Sequence, residues 1–481
     1  MPRPLAFLLT AAVVFYLFQR DVREKPPITG ALWLPLIWFL IAGSRFVSQW
    51  LGVSGGASVE DGSPLDRVIF LGLIVGGFFV LKNRHVRLSE VLRNNVWLTI
   101  YFFYCFVAIF WSDYQFVSFK RWFKTFGEPI MVLIIFSEPD PAEALTRLMK
   151  RAAYILMPFS IMLIKYFPET GRGFSQWGGA VNTGVTLDKN MLGADCLVLG
   201  FFLFCHLLTT LNLEKSRIRR NELLLTGFLL WMVWWTLIES ASSTALMALV
   251  VGMVAMWTLG RGFVVKRFVG VYIVLGVAAL VAADAAFGLF DVLVGLLGED
   301  STLTGRTELW TYLLAIKTNA VFGVGFESFW LGERLDSIQQ ALRWRPNEAH
   351  NGYLETYLQL GLVGLGILVS LIIATYRKSR RALQQAFESG RMRLSFLAAV
   401  VVYNWTESSF RTLHIVLLGF YLIALDYTSP KAASGVAIGG TRPADRDRVS
   451  RRSSYPHTWS PTRPTAGRAA RSWLPTKPAP R

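Results

Sequence analysis

Residues 353–376 read YLETYLQLGLVGLGILVSLIIATY, in which Glu355 is the one charged side chain. A helix needs about 20 mostly apolar residues to cross the hydrocarbon of a bilayer, so this stretch predicts a transmembrane helix. Similar apolar runs recur from residue 5 to residue 427 in a chain of 481 residues that is 53% hydrophobic and 17% charged. Soluble domains carry about a quarter charged residues. The sequence therefore predicts an all-α polytopic membrane protein.

Thirteen apolar runs are candidate transmembrane helices, and the first has two interpretations. The run 5–18 lacks a small-residue cleavage site, so we expect it to be retained rather than removed as a signal peptide. If this run is re-entrant or interfacial, the number of transmembrane helices falls to twelve. The runs are 5–18, 31–47, 67–81, 96–111, 126–137, 152–164, 191–211, 222–238, 244–259, 269–287, 353–376, 394–408 and 412–427.

Lysine and arginine cluster in alternate connections between these runs. This asymmetry predicts that the basic face is cytoplasmic and that the opposite face is the outer side of the membrane. Residues 1–427 then form the membrane domain. The tail, 428–481, lies in the cytoplasm, and its Pro, Ser, Thr and Arg content without apolar periodicity predicts disorder. The net charge of +17 is explained by attraction to anionic membrane lipids and not by nucleic acid.

The longest connection, 288–352, lies on the predicted outer side and is too long to be a plain turn; it is called the periplasmic loop below, in line with the resemblance described at the end of this subsection. The apolar side of residues 308–318 predicts a short helix along the membrane surface, and Gly323-Val324-Gly325 follows it as a breaker. Aromatic residues in this periplasmic loop suit an interfacial belt, or alternatively a sugar-stacking surface. They are Phe326, Phe329, Trp330 and Trp344.

His350 ends the loop, within the sequence Glu348-Ala349-His350-Asn351-Gly352. Among the five histidines it is the one in a polar outer segment directly before a helix, where backbone donors favour anions. A neutral imidazole with an unperturbed pKa of about 6.5 suits a proton acceptor. A lone loop histidine can also be solvent-exposed without a function. We interpret His350 as a catalytic base, supported by Asn351.

Three cations on the same face are candidates for binding phosphate: Arg306, Arg172 and Lys189. Each stands in a polar or glycine-rich segment, and the planar guanidinium can donate two parallel hydrogen bonds to a phosphate. The alternative is that these side chains extend to lipid headgroups.

Carboxylates at the membrane boundary form a third group of candidates. Asp188 and Asp195 stand at and inside the start of the seventh run, and Glu407 near the end of the twelfth. Ionisable groups inside a membrane are costly and mark functional sites, although Asp195 could instead pair with a buried Lys or Arg. The predicted periplasmic segments contain no Asp-x-Asp motif and no histidine cluster. We therefore predict no metal and no other cofactor.

Several of these residues form motifs that resemble the O-antigen ligase and polymerase superfamily. The motifs are Gly305-Arg306 with Trp310, Gly323-Val324-Gly325, His350-Asn351 with Tyr353-Leu354, Gly361-Leu362-Val363-Gly364, Trp111-Ser112-Asp113, Lys189-Asn190-Met191-Leu192-Gly193 and Asn404-Trp405-Thr406-Glu407-Ser408. The resemblance extends over residues 31–427 and is greatest to the exopolysaccharide polymerase branch.

The resemblance implies a multi-span glycosyltransferase that uses a lipid donor. Such an enzyme takes a glycan from undecaprenyl pyrophosphate and joins it, on the periplasmic side, to another lipid-linked repeat in polymerases or to lipid A–core in ligases. Arg306, with Arg172 or Lys189, would bind the pyrophosphate, and His350 would deprotonate or orient the acceptor hydroxyl. A flippase and a chain-length regulator are the expected protein partners.

Two departures from the family pattern bear on this assignment. Many members have histidine where this chain has Asp188, so the role of that position is open. The periplasmic loop is shorter than in the ligases, which favours a polymerase over a ligase. A transporter of lipid-linked glycan, or a partner protein of another enzyme, are the alternatives from other classes, although we find no internal repeat of the kind transporters have.

Overall fold

The computed structural model describes residues 1–53, 63–174, 178–261, 305–342 and 345–427. The predicted disordered tail, 428–481, lies outside the described residues. So do the tenth candidate run, 269–287, the first part of the periplasmic loop, and Trp344.

The described residues form seventeen α-helices, two 3₁₀ turns and one β-hairpin. The helices of the first half are α1 (Arg3–Arg23), α2 (Trp33–Ala42), α3 (Val47–Trp50), α4 (Pro64–Asn83), α5 (Leu88–Asn94), α6 (Val96–Val107), α7 (Gln115–Phe136), α8 (Pro141–Tyr166) and α9 (Pro168–Gly171). The hairpin follows, with β1 (Arg172–Phe174) antiparallel to β2 (Ala180–Asn182). The later helices are α10 (Lys189–Leu211), α11 (Arg217–Ser240), α12 (Ser243–Leu259), α13 (Arg306–Ala315), α14 (Gly332–Ala341), α15 (Gly352–Gln385), α16 (Phe387–Thr406) and α17 (Ile415–Ala424).

The prediction of an all-α polytopic membrane protein is confirmed. Among the described helices, α1, α4, α10, α11 and α15 are long and apolar enough to cross a membrane, and the bent pair α5–α6 makes a sixth if it counts as one span. Shorter apolar helices cover three further candidate runs, in residues 30–42, α12 and α17. Each of the twelve candidate runs inside the described ranges coincides with a helix.

The first helix runs from one face of the protein to the other. Near its start, Arg3 pairs with Glu169 at 2.7 Å, and near its end Arg20 pairs with Glu222 at 3.4 Å. Glu169 follows α8 and Glu222 begins α11, so these partners lie at opposite ends of the helices. At 1.5 Å per residue, α1 is about 31 Å long, which matches the hydrocarbon thickness. This geometry supports the interpretation of the run 5–18 as a spanning helix, and the number of transmembrane helices stays a prediction. We call the face with Glu169 the His350 face and the opposite one the basic face.

The core of the membrane domain surrounds α10, the most deeply buried of the five long apolar helices. Small residues bring its neighbours close, as is usual for helices that pack in lipid. At Gly193 a β-carbon would lie 2.5 Å from the Cβ of Ser242, at the start of α12. Helices α12 and α17 pack on α10, and α16 packs on both of them. Because Thr406, at the end of α16, is hydrogen-bonded to Thr244, at the start of α12, the residues that follow α16 are held close to the start of α10.

The described part of the loop 288–352 has its own small hydrophobic core on the His350 face. Helices α13 and α14 contribute Leu309, Leu313 and Ile338, which pack with Phe329 and Leu358. The prediction of a helix over residues 308–318 is confirmed in part: α13 covers Arg306–Ala315, and residues 316–318 lie beyond its end. Its placement along the membrane surface stays a prediction.

Both interpretations of the aromatic residues are wrong for the three that the structure describes. Phe329 is fully buried, and Phe326 and Trp330 are 4% and 8% exposed, because the loop folds over them. The indole of Trp330 donates to the buried carboxylate of Glu355 at 2.7 Å, so its polar atom has a partner inside the protein.

Two glycines allow the loop to cross the beginning of α15 at backbone distance. Gly323 and Gly361 both have positive φ, and a β-carbon at Gly361 would lie 2.2 Å from the carbonyl oxygen of Val321. Hydrogen bonds from Gly325 N to Gln359 O and from Leu362 N to Ala320 O, both 2.9 Å, join the two segments. This crossing holds the loop against the helix that begins beside His350.

Candidate functional site

His350 stands immediately before α15, in a backbone conformation that few residues other than glycine adopt. Its φ is +47°, in the left-handed region, where strain is found mostly at functional positions. The next residue, Asn351, caps α15 by accepting hydrogen bonds from the amides of Tyr353 and Leu354, each at 3.0 Å. The predicted helix start is thus confirmed, and the cap orients the histidine.

The start of α15 is docked on the segment that follows α16. The backbone N–H of Asn351 donates to Ser408 Oγ at 3.0 Å, and Nδ2 of its side chain donates to the Trp405 carbonyl at 3.0 Å. Gly352 N donates to Glu407 O at 3.0 Å, and a β-carbon at Gly352 would lie 2.1 Å from Asn404 Oδ1. Two motifs that are far apart in the sequence therefore meet in one place.

Glu407 connects the predicted base to the predicted phosphate-binding cation. Its Oε2 lies 3.1 Å from His350 Nδ1, and its Oε1 accepts from an Arg306 guanidinium nitrogen at 2.6 Å. The Glu407 side chain is 3% exposed, and those of Arg306 and His350 are 12% and 15% exposed. Three of the predicted site residues thus form one partly buried, hydrogen-bonded chain.

A second carboxylate and a second arginine complete the cluster. Glu348 Oε1 lies 3.3 Å from His350 Nδ1, and its other oxygen pairs with Arg411 at 2.6 Å. Neither residue was predicted from the sequence to have a role in the site. The signal that could have identified Arg411 is a cation in the short outer turn between two apolar runs, four residues after Glu407.

The charges around His350 change its pKa and that of Glu407. Burial by itself lowers the pKa of His350, but the charges of Glu348 and Glu407 and the hydrogen bond to Glu407 outweigh it, so the pKa is raised. Burial by itself raises the pKa of Glu407. The charge and hydrogen bond of His350 and the charge of Arg306 lower it by more than burial raises it, so the pKa of Glu407 is lowered overall. Glu407 is therefore ionised where His350 titrates.

This arrangement can hold a histidine as a proton acceptor of defined orientation. A carboxylate that accepts from Nδ1 places the lone pair of the neutral ring on Nε2. The Glu407–His350 pair thus has the form of the carboxylate–imidazole pairs that orient a general base. Because the pKa of His350 is raised, its base form becomes populated at a higher pH than in an unperturbed histidine.

Glu348, His350 and Glu407 are also the candidate metal ligands among the described residues. One ligand atom from each of Glu348, His350 and Glu407 lies within 4.8 Å of the others. Arg306 and Arg411 each bind one carboxylate of this group at 2.6 Å. Two guanidinium groups beside the ligands oppose a divalent cation, and absence of a metal remains our prediction.

Asp188 and Lys189, two predicted site residues at the start of α10, lie near this cluster but make different contacts. Asp188 caps α10 by accepting from Asn190 N at 2.8 Å and Met191 N at 2.9 Å. Burial raises the pKa of Asp188, and the nearby charges of Glu348 and Glu407 add to this. The exposed Lys189 side chain donates to the Ala241 carbonyl at 3.3 Å.

Arg172 and Asp195 are not joined to His350. Arg172 lies in the hairpin, where its Nε donates to the Ile164 carbonyl at 3.0 Å, and within the described residues it has no bond to His350 or Arg306. Asp195 is fully buried in α10, and neither of its carboxylate oxygens has a hydrogen-bond partner in the described part of the chain. The proposed pairing of Asp195 with a buried Lys or Arg is therefore not found there.

Two comparisons with known proteins identify relatives of this chain. The sequence model of a family described as O-antigen ligase matches residues 228–369, which include Arg306 and His350. The exopolysaccharide production protein ExoQ of Rhizobium meliloti (strain 1021) is 27% identical over 301 residues, which are 60% of this chain and 66% of that protein, just under two thirds of its length. These matches support the resemblance predicted from the sequence: over the matched residues this chain is similar to the O-antigen ligase family and to an exopolysaccharide production protein.

Proposed function

We propose that the protein is an inner-membrane glycosyltransferase that transfers a glycan from undecaprenyl pyrophosphate to an acceptor sugar on the periplasmic face. Its most favoured activity is polymerisation of exopolysaccharide or O-antigen repeat units. The observation that carries the proposal is the chain Arg306–Glu407–His350, which places a phosphate-binding cation and an oriented imidazole on one carboxylate.

In the proposed reaction, Nε2 of His350 takes the proton of the acceptor hydroxyl. The hydroxyl oxygen forms a bond to the anomeric carbon of the donor glycan, and the bond from that carbon to pyrophosphate breaks. The leaving pyrophosphate keeps the electron pair, and Arg306 stabilises the charge that develops on it. A guanidinium has five N–H donors in a planar fork, so Arg306 can bind Glu407 on one edge and phosphate on another.

Arg411 and Lys189 are the other cations that would favour an anionic donor at this place. Arg411 is bound to Glu348 beside His350, and Lys189 follows Asp188 directly. In this scheme Arg172, in the hairpin, contacts the donor farther from the reacting carbon. The reaction requires no metal, because fixed cations neutralise the leaving group.

Transfer to lipid A–core by an O-antigen ligase is the second candidate function. The matching family is described as O-antigen ligase, whereas the similar protein of Rhizobium meliloti is described by exopolysaccharide production. A transporter of lipid-linked glycan would need cations in a cavity but no oriented base. With the His350 face periplasmic, the tail is cytoplasmic, and a flippase and a chain-length regulator would be the partners that supply and limit the substrate.

The test is the size of lipid-linked and surface glycan in a deletion strain complemented with wild type, His350→Ala or His85→Ala. His85 is exposed on the basic face and serves as the matched control. We expect wild type and His85→Ala to restore long glycan. With His350→Ala we expect single repeat units to accumulate on the lipid carrier.

The alternatives give different results in the same experiment. Long glycan that remains on the carrier lipid, without transfer to lipid A–core, identifies a ligase. Full rescue by His350→Ala at equal protein level refutes the assignment of the base and favours a transporter.

A further inference from the structure

An apolar groove separate from the His350 cluster opens on the same face, between α1, α2, α3 and α8. Its volume is about 640 Å³, and its walls include Phe7, Leu40, Trp50, Phe159 and Leu163. Phe7 and Trp50, at the rim, are 48% and 43% exposed, so the groove is open towards the surrounding lipid.

The groove is deep enough to hold a lipid chain. Along α8 its wall extends from residue 155 to residue 163, which is about 12 Å at 1.5 Å per residue. Half of the hydrocarbon thickness of a bilayer is about 15 Å. The groove therefore runs through most of one leaflet, on the side of the His350 face.

A cation without an acidic partner lies at the mouth of this groove. Arg45 donates through Nε to the Thr186 carbonyl at 3.2 Å and through a terminal nitrogen to the Thr170 carbonyl at 2.5 Å. Within the described ranges no carboxylate is within ion-pair distance of Arg45, and the nearby Glu169 is paired with Arg3 at 2.7 Å. An apolar groove that ends at a net positive charge is complementary to a lipid with an anionic head.

The mouth of the groove is continuous with the candidate active site. Arg45 N donates to Val185 O at 3.2 Å, and Thr186 Oγ1 donates to Asp188 O at 2.8 Å. The Asp188 carboxyl is close enough to Glu348 and Arg411 for their charges to act on it. Residues 185–188 thus connect the groove to the His350 cluster, which is what a lipid-linked substrate needs and an ordinary phospholipid does not.

We propose that this groove binds the isoprenoid chain of a polyprenyl pyrophosphate, with the Arg45 guanidinium contacting the phosphate nearest to the lipid. The proposal rests on the proposed function, because it assigns the groove to the carrier lipid of the same reaction. Arg45 would hold the carrier end of the substrate, and Arg306 would hold the end from which the glycan leaves.

The experiment is photocrosslinking of full-length protein in nanodiscs. The photoreactive residue p-benzoylphenylalanine replaces Phe159 in the groove or, as the matched control, Phe103, which is 65% exposed on α6. The probe is radiolabelled undecaprenyl pyrophosphate, with unlabelled undecaprenyl pyrophosphate or phosphatidylglycerol as competitor. We expect labelling at position 159 well above position 103, and competition by undecaprenyl pyrophosphate alone.

Two variants test the contacts that define the site. Arg45→Gln should lower labelling at position 159 by about tenfold or more, the size of one lost hydrogen bond to a charged group, whereas Arg45→Lys should retain part of it. If Arg45→Gln fails to fold, Leu163→Trp fills the groove without touching Arg45 and should have the same effect.

Three results would overturn the proposal: equal labelling at both positions, equal competition by phosphatidylglycerol, or full labelling in both folded variants. Labelling measures binding without turnover, so His350→Ala should label like wild type. Wild-type protein that binds the probe in the groove but makes no polymer would refute the proposed function and support the groove.

Discussion

Replacing Glu407 by glutamine tests whether this carboxylate orients His350. The new side-chain amide would keep one oxygen, which can still accept from Arg306 at the place where Glu407 Oε1 now lies 2.6 Å away. Its NH₂ group would then face His350 Nδ1, where the wild type has a carboxylate oxygen at 3.1 Å. Two donors cannot face each other, so the ring would place its proton on Nε2 and lose the lone pair that accepts the substrate proton.

The expected loss follows from these contacts. One hydrogen bond between charged groups contributes about 1.5–3 kcal/mol, and the wrong tautomer removes the base function in addition. Together we expect a barrier increase of about 3–5 kcal/mol, which is roughly 10²- to 10⁴-fold in kcat. KM should change little, because Arg306 keeps an acceptor.

The assay is the rate of glycan extension on lipid-linked repeats by purified protein, measured against pH. Base catalysis by His350 falls as the pH drops below the pKa of His350, which the structure raises. The companion variant Glu348→Gln removes one of the charges that raise it but keeps the Glu407 contact. Its acid limb should therefore move to lower pH, with a much smaller loss at the optimum. Wild-type kcat in Glu407→Gln, at equal folded protein, would refute the orienting role.

Further variants test the cation, the metal, the buried acid and the loop crossing. Arg306→Lys should lower kcat/KM about 10- to 100-fold, because a single ammonium replaces a planar fork; unchanged kinetics would exclude Arg306 from binding pyrophosphate. Chelation by EDTA should leave activity intact, and activity restored by Mn²⁺ after EDTA would contradict this. Asp195→Asn should raise the thermal unfolding midpoint, since a buried amide costs less than an unpartnered carboxyl; an unchanged midpoint would indicate a partner such as water. Gly361→Ala should destabilise the protein by about 4 kcal/mol or more, because a β-carbon there would lie 2.2 Å from Val321 O. Gly366→Ala, with open space around it, is its neutral control in the same melting experiment.

The main residues of the cluster could be predicted from the sequence because they are polar residues next to apolar runs. Charged and titratable groups are rare in a membrane-embedded chain, so His350, Arg306 and Glu407 are conspicuous against apolar surroundings. It also predicted that a helix begins directly after the segment of His350, because an apolar run follows that segment. It missed Glu348 and Arg411, since a short outer turn and the end of a loop each offer several equivalent polar residues.

The prediction for the aromatic residues of the loop was wrong, because the sequence does not show which helices fold over them. Phe329 and Trp330 look like surface aromatics in sequence, but α13 and α14 fold over them and bury them. The run 5–18, in contrast, was expected to be a retained helix, and α1 extends beyond it into polar residues, with ion pairs near both of its ends.

The sequence by itself determined the fold class and predicted one common face for the site residues, because hydrocarbon admits only segments whose backbone bonds internally and basic residues mark one side. Only the tertiary structure decided that Glu407 lies between His350 and Arg306. His350 and Glu407 are 57 positions apart in the chain. Their contact depends on how α15 docks on the segment after α16, and packing in three dimensions sets that docking.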